Sequence, residues 1–208
     1  MYVKICGLRR LEDIEYVNKL KPDYIGFIFA EKSKRRIDFN EALKLKEKLD
    51  KDIKAVGVFL NQDIEYVIEA SRLHIIDLIQ LHGDESDSYI KELKERTNLE
   101  IINVYRESIY ADYVMYDNKD AGSGIYQKIS YKKGQKPIFL AGGISISNLD
   151  EIKKQKPFCI DASSSVEIDG FKDYKKMEEF IRRVRQWVNQ SLVFLVDSIS
   201  LKHWWMQY

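Results

Sequence analysis

Apolar residues along this chain come in short runs, and each run gives way to a charged stretch whose apolar positions fall three or four residues apart. The runs are Tyr2–Cys6, Tyr24–Phe29, Ala55–Leu60, Leu78–His82, Glu100–Tyr105, Tyr113–Tyr116, Pro137–Ala141 and Phe158–Ala162. Their β-branched and aromatic content reads as strands buried on both faces, the pattern of a parallel sheet covered by helices. The intervening segments read as helices over Leu11–Leu20, Asn40–Leu49, Asp63–Ser71, Asp87–Arg96, Ser147–Lys154 and Asp173–Val188. In the first of these, Leu11, Ile14, Val17 and Leu20 recur at spacing three, and Asp38 is a suitable cap for the second. The segments after Tyr105 and around Tyr126–Tyr131 carry a weaker helical signal and read as short or irregular.

Strands that alternate with helices imply parallel pairing through right-handed crossovers, either in an open doubly wound sheet or in a closed barrel. Eight strand-like runs favour the barrel, so the expected fold is α/β, a single-domain (β/α)8 TIM barrel over residues 1–189. No Pro/Gly-rich linker divides the 208 residues, and residues 190–208 are left as a C-terminal tail of unassigned role.

Composition narrows the function by exclusion. With 34 Lys and Arg against 33 Asp and Glu, the formal net charge is +1, so no global field favours nucleic acid or a membrane surface, and any anion must be held by local groups. The two cysteines, Cys6 and Cys159, make no disulfide framework and suit a reducing cytoplasm. The chain shows no secretory leader, and no apolar run approaches the roughly 18–20 residues of a membrane span. His74, His82 and His203 lack metal-ligand spacing, so no metal site is expected.

Function in such a barrel sits at the carboxyl ends of the strands. There this sequence places Cys6-Gly7, then Lys32-Ser33-Lys34-Arg35-Arg36, Gln80-Leu81-His82-Gly83, Asp117 followed by Ala121-Gly122-Ser123-Gly124, Gly142-Gly143, and Asp161-Ala162-Ser163-Ser164-Ser165. Taken singly, each has an ordinary reading: Cys6 as a buried apolar thiol, Asp117 as a turn residue, Lys32–Arg36 as a solvated loop, the serines as loop filler. Their common place on one rim argues for a site.

The ordered set Lys4-Ile5-Cys6-Gly7, Gly26-Phe27-Ile28-Phe29, Lys32-Ser33-Lys34-Arg35, Gly57-Val58-Phe59, Gln80-Leu81-His82-Gly83, Gly122-Ser123-Gly124, Gly142-Gly143 and Asp161 through Glu167 resembles the phosphoribosylanthranilate isomerase family of tryptophan biosynthesis, from about residue 3 to about residue 185. The resemblance implies an Amadori rearrangement, in which an aldose amine opens its ring and becomes a ketose amine. That chemistry needs one acid and one base and no cofactor. The resemblance assigns the base to Cys6 and the acid to Asp117, with Asp120 as the backup acid. It assigns the substrate carboxylate to Arg35, with Arg36 adjacent, and a substrate contact to His82. Gly142, Gly143, Ser163 and Ser164 are the expected phosphate cradle, since glycines let backbone N–H groups approach an anion. The implied partner is a small phosphoribosyl substrate, and the implied protein is a cytoplasmic monomer or homodimer.

The acid–base roles make demands. A thiol of ordinary pKa about 8.5 must be partly ionised to act as a base. Lys4 is a nearby source of positive potential, although neighbours along a strand point to opposite faces. An aspartate must be raised well above about 3.9 to donate a proton. Three features depart from the family pattern: Ser165 stands where glycine is usual, which would strain a left-handed backbone, Ala121 replaces the first glycine of its loop, and the tail after about Asn189 lies outside the resemblance. Two other functions fit the same rim, a related sugar-phosphate isomerase or lyase and a non-catalytic binder of phosphoribosyl ligands.

Overall fold

A computed structural model describes residues 1–117, 134 and 136–186. Eight parallel strands close into a barrel in chain order: β1 (Tyr2–Cys6), β2 (Tyr24–Ile28), β3 (Lys54–Phe59), β4 (Leu78–Leu81), β5 (Glu100–Val104), β6 (Tyr113–Tyr116), β7 (Ile138–Leu140) and β8 (Cys159–Ala162). Closure comes from β1 pairing with β8, Tyr2 opposite Cys159 and Lys4 opposite Asp161. The ring leaves no exposed edge. Every strand expected from the apolar runs is present, most of them one residue shorter at an end.

The helices α1 (Leu11–Leu20), α2 (Phe39–Lys46), α3 (Ile64–Arg72), α4 (Asp87–Thr97) and α5 (Leu149–Lys154) lie between strands, and residues 174–186 form a further helix after β8. Asp38 caps α2 as expected, accepting from the Glu41 N–H while Glu41 reaches back to the Asp38 N–H. Helix α2 stops at Lys46, short of the Leu49 expected from the sequence. Between β5 and β6 the chain makes turns without a helix, in line with the weak signal after Tyr105. The segment around Tyr126–Tyr131, Asp120, Ala121, the Gly122-Ser123-Gly124 motif and the tail 190–208 lie outside the described residues. Among the described residues no helix is long and apolar enough to cross a membrane.

Two apolar layers follow from strand alternation. Val3, Ile5, Ile25, Phe27, Ile79 and Ile101 point outward into the larger core beneath the helices. Tyr24, Val56, Leu78, Ile102, Phe139 and Cys159 fill the barrel interior, which confirms Cys159 as a packing residue.

Candidate active site

The inner face changes character along each strand. Two residues beyond the interior residue Leu78 comes Gln80, then His82; beyond Met115 comes Asp117; beyond Cys159 come Asp161 and Ser163. On β1 the same face carries Lys4 and Cys6, so these two share a side, which corrects the expectation that strand alternation would separate them. A packed apolar floor therefore gives way to polar groups at the carboxyl ends of the strands.

Cys6 is buried, with 7% of its surface exposed. Its sulfur fits because Gly26, its partner on β2, has no side chain: a Cβ there would lie 2.6 Å from Cys6 Sγ. Lys4 is fully buried and donates to Asp161 Oδ2 at 2.8 Å across the β1–β8 seam. Burial works against the Lys4 charge, but Asp161 and Cys6 outweigh it and raise the ammonium pKa, so Lys4 is a fixed cation beside the thiol. Burial pushes the Cys6 thiol above its ordinary value, and the charges of Lys4 and Lys172 pull it back only in part. Cys6 is therefore chiefly a thiol at neutral pH.

His82 is held from below. The Gln80 side-chain amide donates to Nδ1 at 3.1 Å, which leaves the proton of the neutral ring on Nε2. Burial and the charge of Lys4 lower the His82 pKa, so the ring is neutral. Nε2 stands 3.4 Å from Asp117 Oδ2 without a well-formed hydrogen bond. Asp117 is near enough to Asp161 for its charge to be felt there. Tyr105 packs edge-on against His82, with ring centroids 5.9 Å apart, and adopts φ +70, a left-handed backbone uncommon for an aromatic residue. Gln80 Oε1, His82 Nε2 and Asp161 Oδ1 are buried and find no hydrogen-bond partner among the described residues, which gives two acceptors and one donor on the inner face. A polyhydroxylated ligand satisfies such a set.

The adjacent arginines part company. Arg35 lies over Gly7, where a Cβ would sit 2.6 Å from its Cδ, and Gly7 itself has φ +84. Its Nε and Nη2 donate to the two oxygens of Glu167, each at 2.7 Å. Arg36 instead lines a separate cavity of about 400 Å³ between the loops after β2 and β3, with Phe29, Lys32 and Tyr66. Arg35 is thus the arginine on the Cys6 side.

Gly142 and Gly143 both have positive φ, at 87° and 67°, as a tight turn after β7 requires. The neighbouring strand β8 leads into a 3₁₀ turn over Ser164–Val166. The Ser163 hydroxyl donates to the Cys6 carbonyl at 3.0 Å, so that side chain braces β1 rather than pointing at a ligand. Ser165 has no positive φ, so the strain expected from its replacing glycine does not arise. Lys172, at the same site, was not singled out from the sequence; Lys4 was named there as a source of positive potential, and Asp161 and Glu167 only as members of the last strand-end motif, without roles.

An eight-stranded parallel barrel with titratable groups gathered at its carboxyl rim defines a (β/α)8 barrel of the enzyme type. Residues 3–183 match the family described as N-(5'-phosphoribosyl)anthranilate isomerase, and the chain belongs to that family. It is 45% identical to the N-(5'-phosphoribosyl)anthranilate isomerase of Clostridium acetobutylicum, with 88% of this chain and 98% of that protein aligned. Among solved structures, the phosphoribosylanthranilate isomerase of Thermus thermophilus superposes with a TM-score of 0.78 at 30% identity, covering 90% of this chain and all of that one. A second, at TM-score 0.74 and 26% identity over 89% and 99% of the two chains, is a phosphoribosylanthranilate isomerase bound to reduced 1-(o-carboxyphenylamino)-1-deoxyribulose 5-phosphate.

Proposed function

We propose that this protein isomerises N-(5'-phosphoribosyl)anthranilate to the corresponding 1-(2-carboxyphenylamino)-1-deoxyribulose 5-phosphate, with Cys6 as base and Asp117 as acid. The observation that carries the reading is the placement of Cys6 and Asp117 on one inner face, at the ends of β1 and β6, with the Lys4–Asp161 ion pair on the strands that close the ring between them.

Asp117 gives its proton to the furanose ring oxygen, and the ring opens to an iminium at sugar carbon 1. Cys6 removes the proton from carbon 2, leaving an enolamine. Protonation at carbon 1 and loss of the hydroxyl proton at carbon 2 then give the ketose. The substrate gains two protons and loses two, so its composition and oxidation level are unchanged. Asp117 and Asp161 lie close enough for their charges to disfavour each other, and burial together with the charge of Asp117 raises the Asp161 carboxyl. Lys4 and Lys172 stabilise the thiolate as it forms. The unpartnered oxygens of Gln80 and Asp161 and the Nε2–H of His82 suit the hydroxyls of the opened sugar. The free end of the Arg35 guanidinium suits the anthranilate carboxylate, and the turns at Gly142-Gly143 and Ser163-Ser164 suit the phosphate.

The test is turnover of freshly generated N-(5'-phosphoribosyl)anthranilate, followed by loss of its fluorescence. Steady turnover by catalytic amounts of protein is expected. A folded protein that binds the substrate without consuming it would overturn the reading in favour of a phosphoribosyl-binding barrel.

A further inference from the structure

Beyond β8 the chain makes a two-residue hairpin, β9 (Glu167–Ile168) and β10 (Phe171–Lys172), around Asp169 and Gly170. Both turn residues have positive φ, at 51° and 79°, the geometry that a tight Asp-Gly hairpin turn requires. A feature this small has little stability of its own. Here it is held by the loop after β1: Arg9 donates to the Gly170 carbonyl and Arg10 to the Lys172 carbonyl, each at 3.0 Å, and both guanidinium groups lie over the Phe171 ring.

The hairpin delivers two buried charges to the site. Lys172 Nζ donates to Glu167 Oε1 at 2.6 Å and to the Ser163 carbonyl at 3.1 Å. Glu167 holds Arg35 through its Nε and Nη2. Burial pushes the Glu167 carboxyl up, but the hydrogen bonds from Arg35 and the charge of Lys172 outweigh it and hold the group below its ordinary range.

A guanidinium has two bidentate edges, one through Nε and Nη2 and one through Nη1 and Nη2. Glu167 uses the first, and that choice fixes the direction of the second. Arg35, Lys172 and Glu167 together leave one positive charge, which a second carboxylate neutralises. We infer that Glu167 is a positioning residue: its two hydrogen bonds lock Arg35 so that the free edge of the guanidinium selects a ligand with an aromatic ortho-carboxylate. The inference rests on the functional reading above.

The test uses two ligands on the full chain: reduced 1-(o-carboxyphenylamino)-1-deoxyribulose 5-phosphate and its phenylamino counterpart, which lacks the carboxyl group. Affinities are measured by titration calorimetry for wild type, Glu167→Gln and the double variant Glu167→Gln/Lys172→Met. The double variant also removes the buried cation that Glu167→Gln leaves without a charged partner. Wild type is expected to favour the carboxylated ligand. Both variants should lose about tenfold or more of that preference, by weaker binding of the carboxylated ligand alone. Variants that keep the wild-type preference, or that weaken both ligands equally, would overturn the role of Glu167. A wild type that binds the two ligands alike would instead remove the carboxylate site, and the proposed function with it.

Discussion

Lys4 Nζ lies 2.8 Å from Asp161 Oδ2, with the two side chains 0% and 7% exposed, and Lys4 precedes Cys6 by two residues on the same face of β1. A buried ion pair costs desolvation, and its retention at the mouth of the barrel places a fixed positive charge beside the thiol.

Breaking that pair from one side leaves a buried charge uncompensated. Lys4→Met or Asp161→Leu is expected to lower stability by about 3–5 kcal/mol, while the double replacement Lys4→Met/Asp161→Leu recovers much of the loss. Urea unfolding of the four proteins as a double-mutant cycle measures this. Additive losses in the double variant would contradict it.

The pH dependence follows from the thiol. Burial raises the Cys6 pKa above its ordinary value, so the ligand-free enzyme holds little thiolate at neutral pH. A base that must be ionised gains activity as pH rises and levels off only above its own pKa. The thiolate fraction of Cys6, read as the difference in ultraviolet thiolate absorbance between wild type and Cys6→Ala, is therefore expected to climb from pH 7 through pH 9, up to about tenfold per unit. A plateau reached below pH 7 would show a thiol already ionised in the free enzyme.

Gly26 makes room for the sulfur. In Gly26→Ala the new Cβ would sit 2.6 Å from Cys6 Sγ, so the thiol must move. A displacement on the order of 1 Å at a reacting atom can cost about a hundredfold in rate. The variant is expected to fold, to keep its affinity for the carboxylated product analogue within a few-fold, and to lose most of its kcat. Unchanged kcat would mean that the thiol position is not critical.

Arg35→Lys keeps the charge and loses the fork. A lysine cannot satisfy both Glu167 and a ligand carboxylate through two parallel hydrogen bonds each. KM for the phosphoribosyl substrate is expected to rise about tenfold or more, whereas Arg36→Lys, in the outer cavity, leaves it unchanged. Steady-state kinetics of the two variants side by side decide between the adjacent arginines.

The barrel was legible because each strand carries its own signal, a short apolar run buried on both faces, and because the alternation of runs with helical stretches determines the topology. Cys6, His82 and Asp117 could be placed on the rim because each sits at a strand end or one residue beyond it, and Arg35 because the Lys-Ser-Lys-Arg order fixes its place in the loop after β2. The charges around them could not be read the same way. Lys4 meets Asp161 across 157 residues and Arg35 meets Glu167 across 132, contacts that no local spacing encodes. Lys172 is turned inward only by the folded hairpin. Ser165 misled in the other direction, because a glycine-like position implied strain where the backbone is ordinary.

The most direct measurement compares turnover of N-(5'-phosphoribosyl)anthranilate by wild type, Cys6→Ala and Asp117→Asn, each checked for native folding by its melting transition. Robust turnover by wild type with losses of about 10²- to 10⁴-fold in kcat in both variants is the expected result. Near-wild-type kcat in either folded variant would contradict the proposed acid–base pair at the carboxyl rim of the barrel.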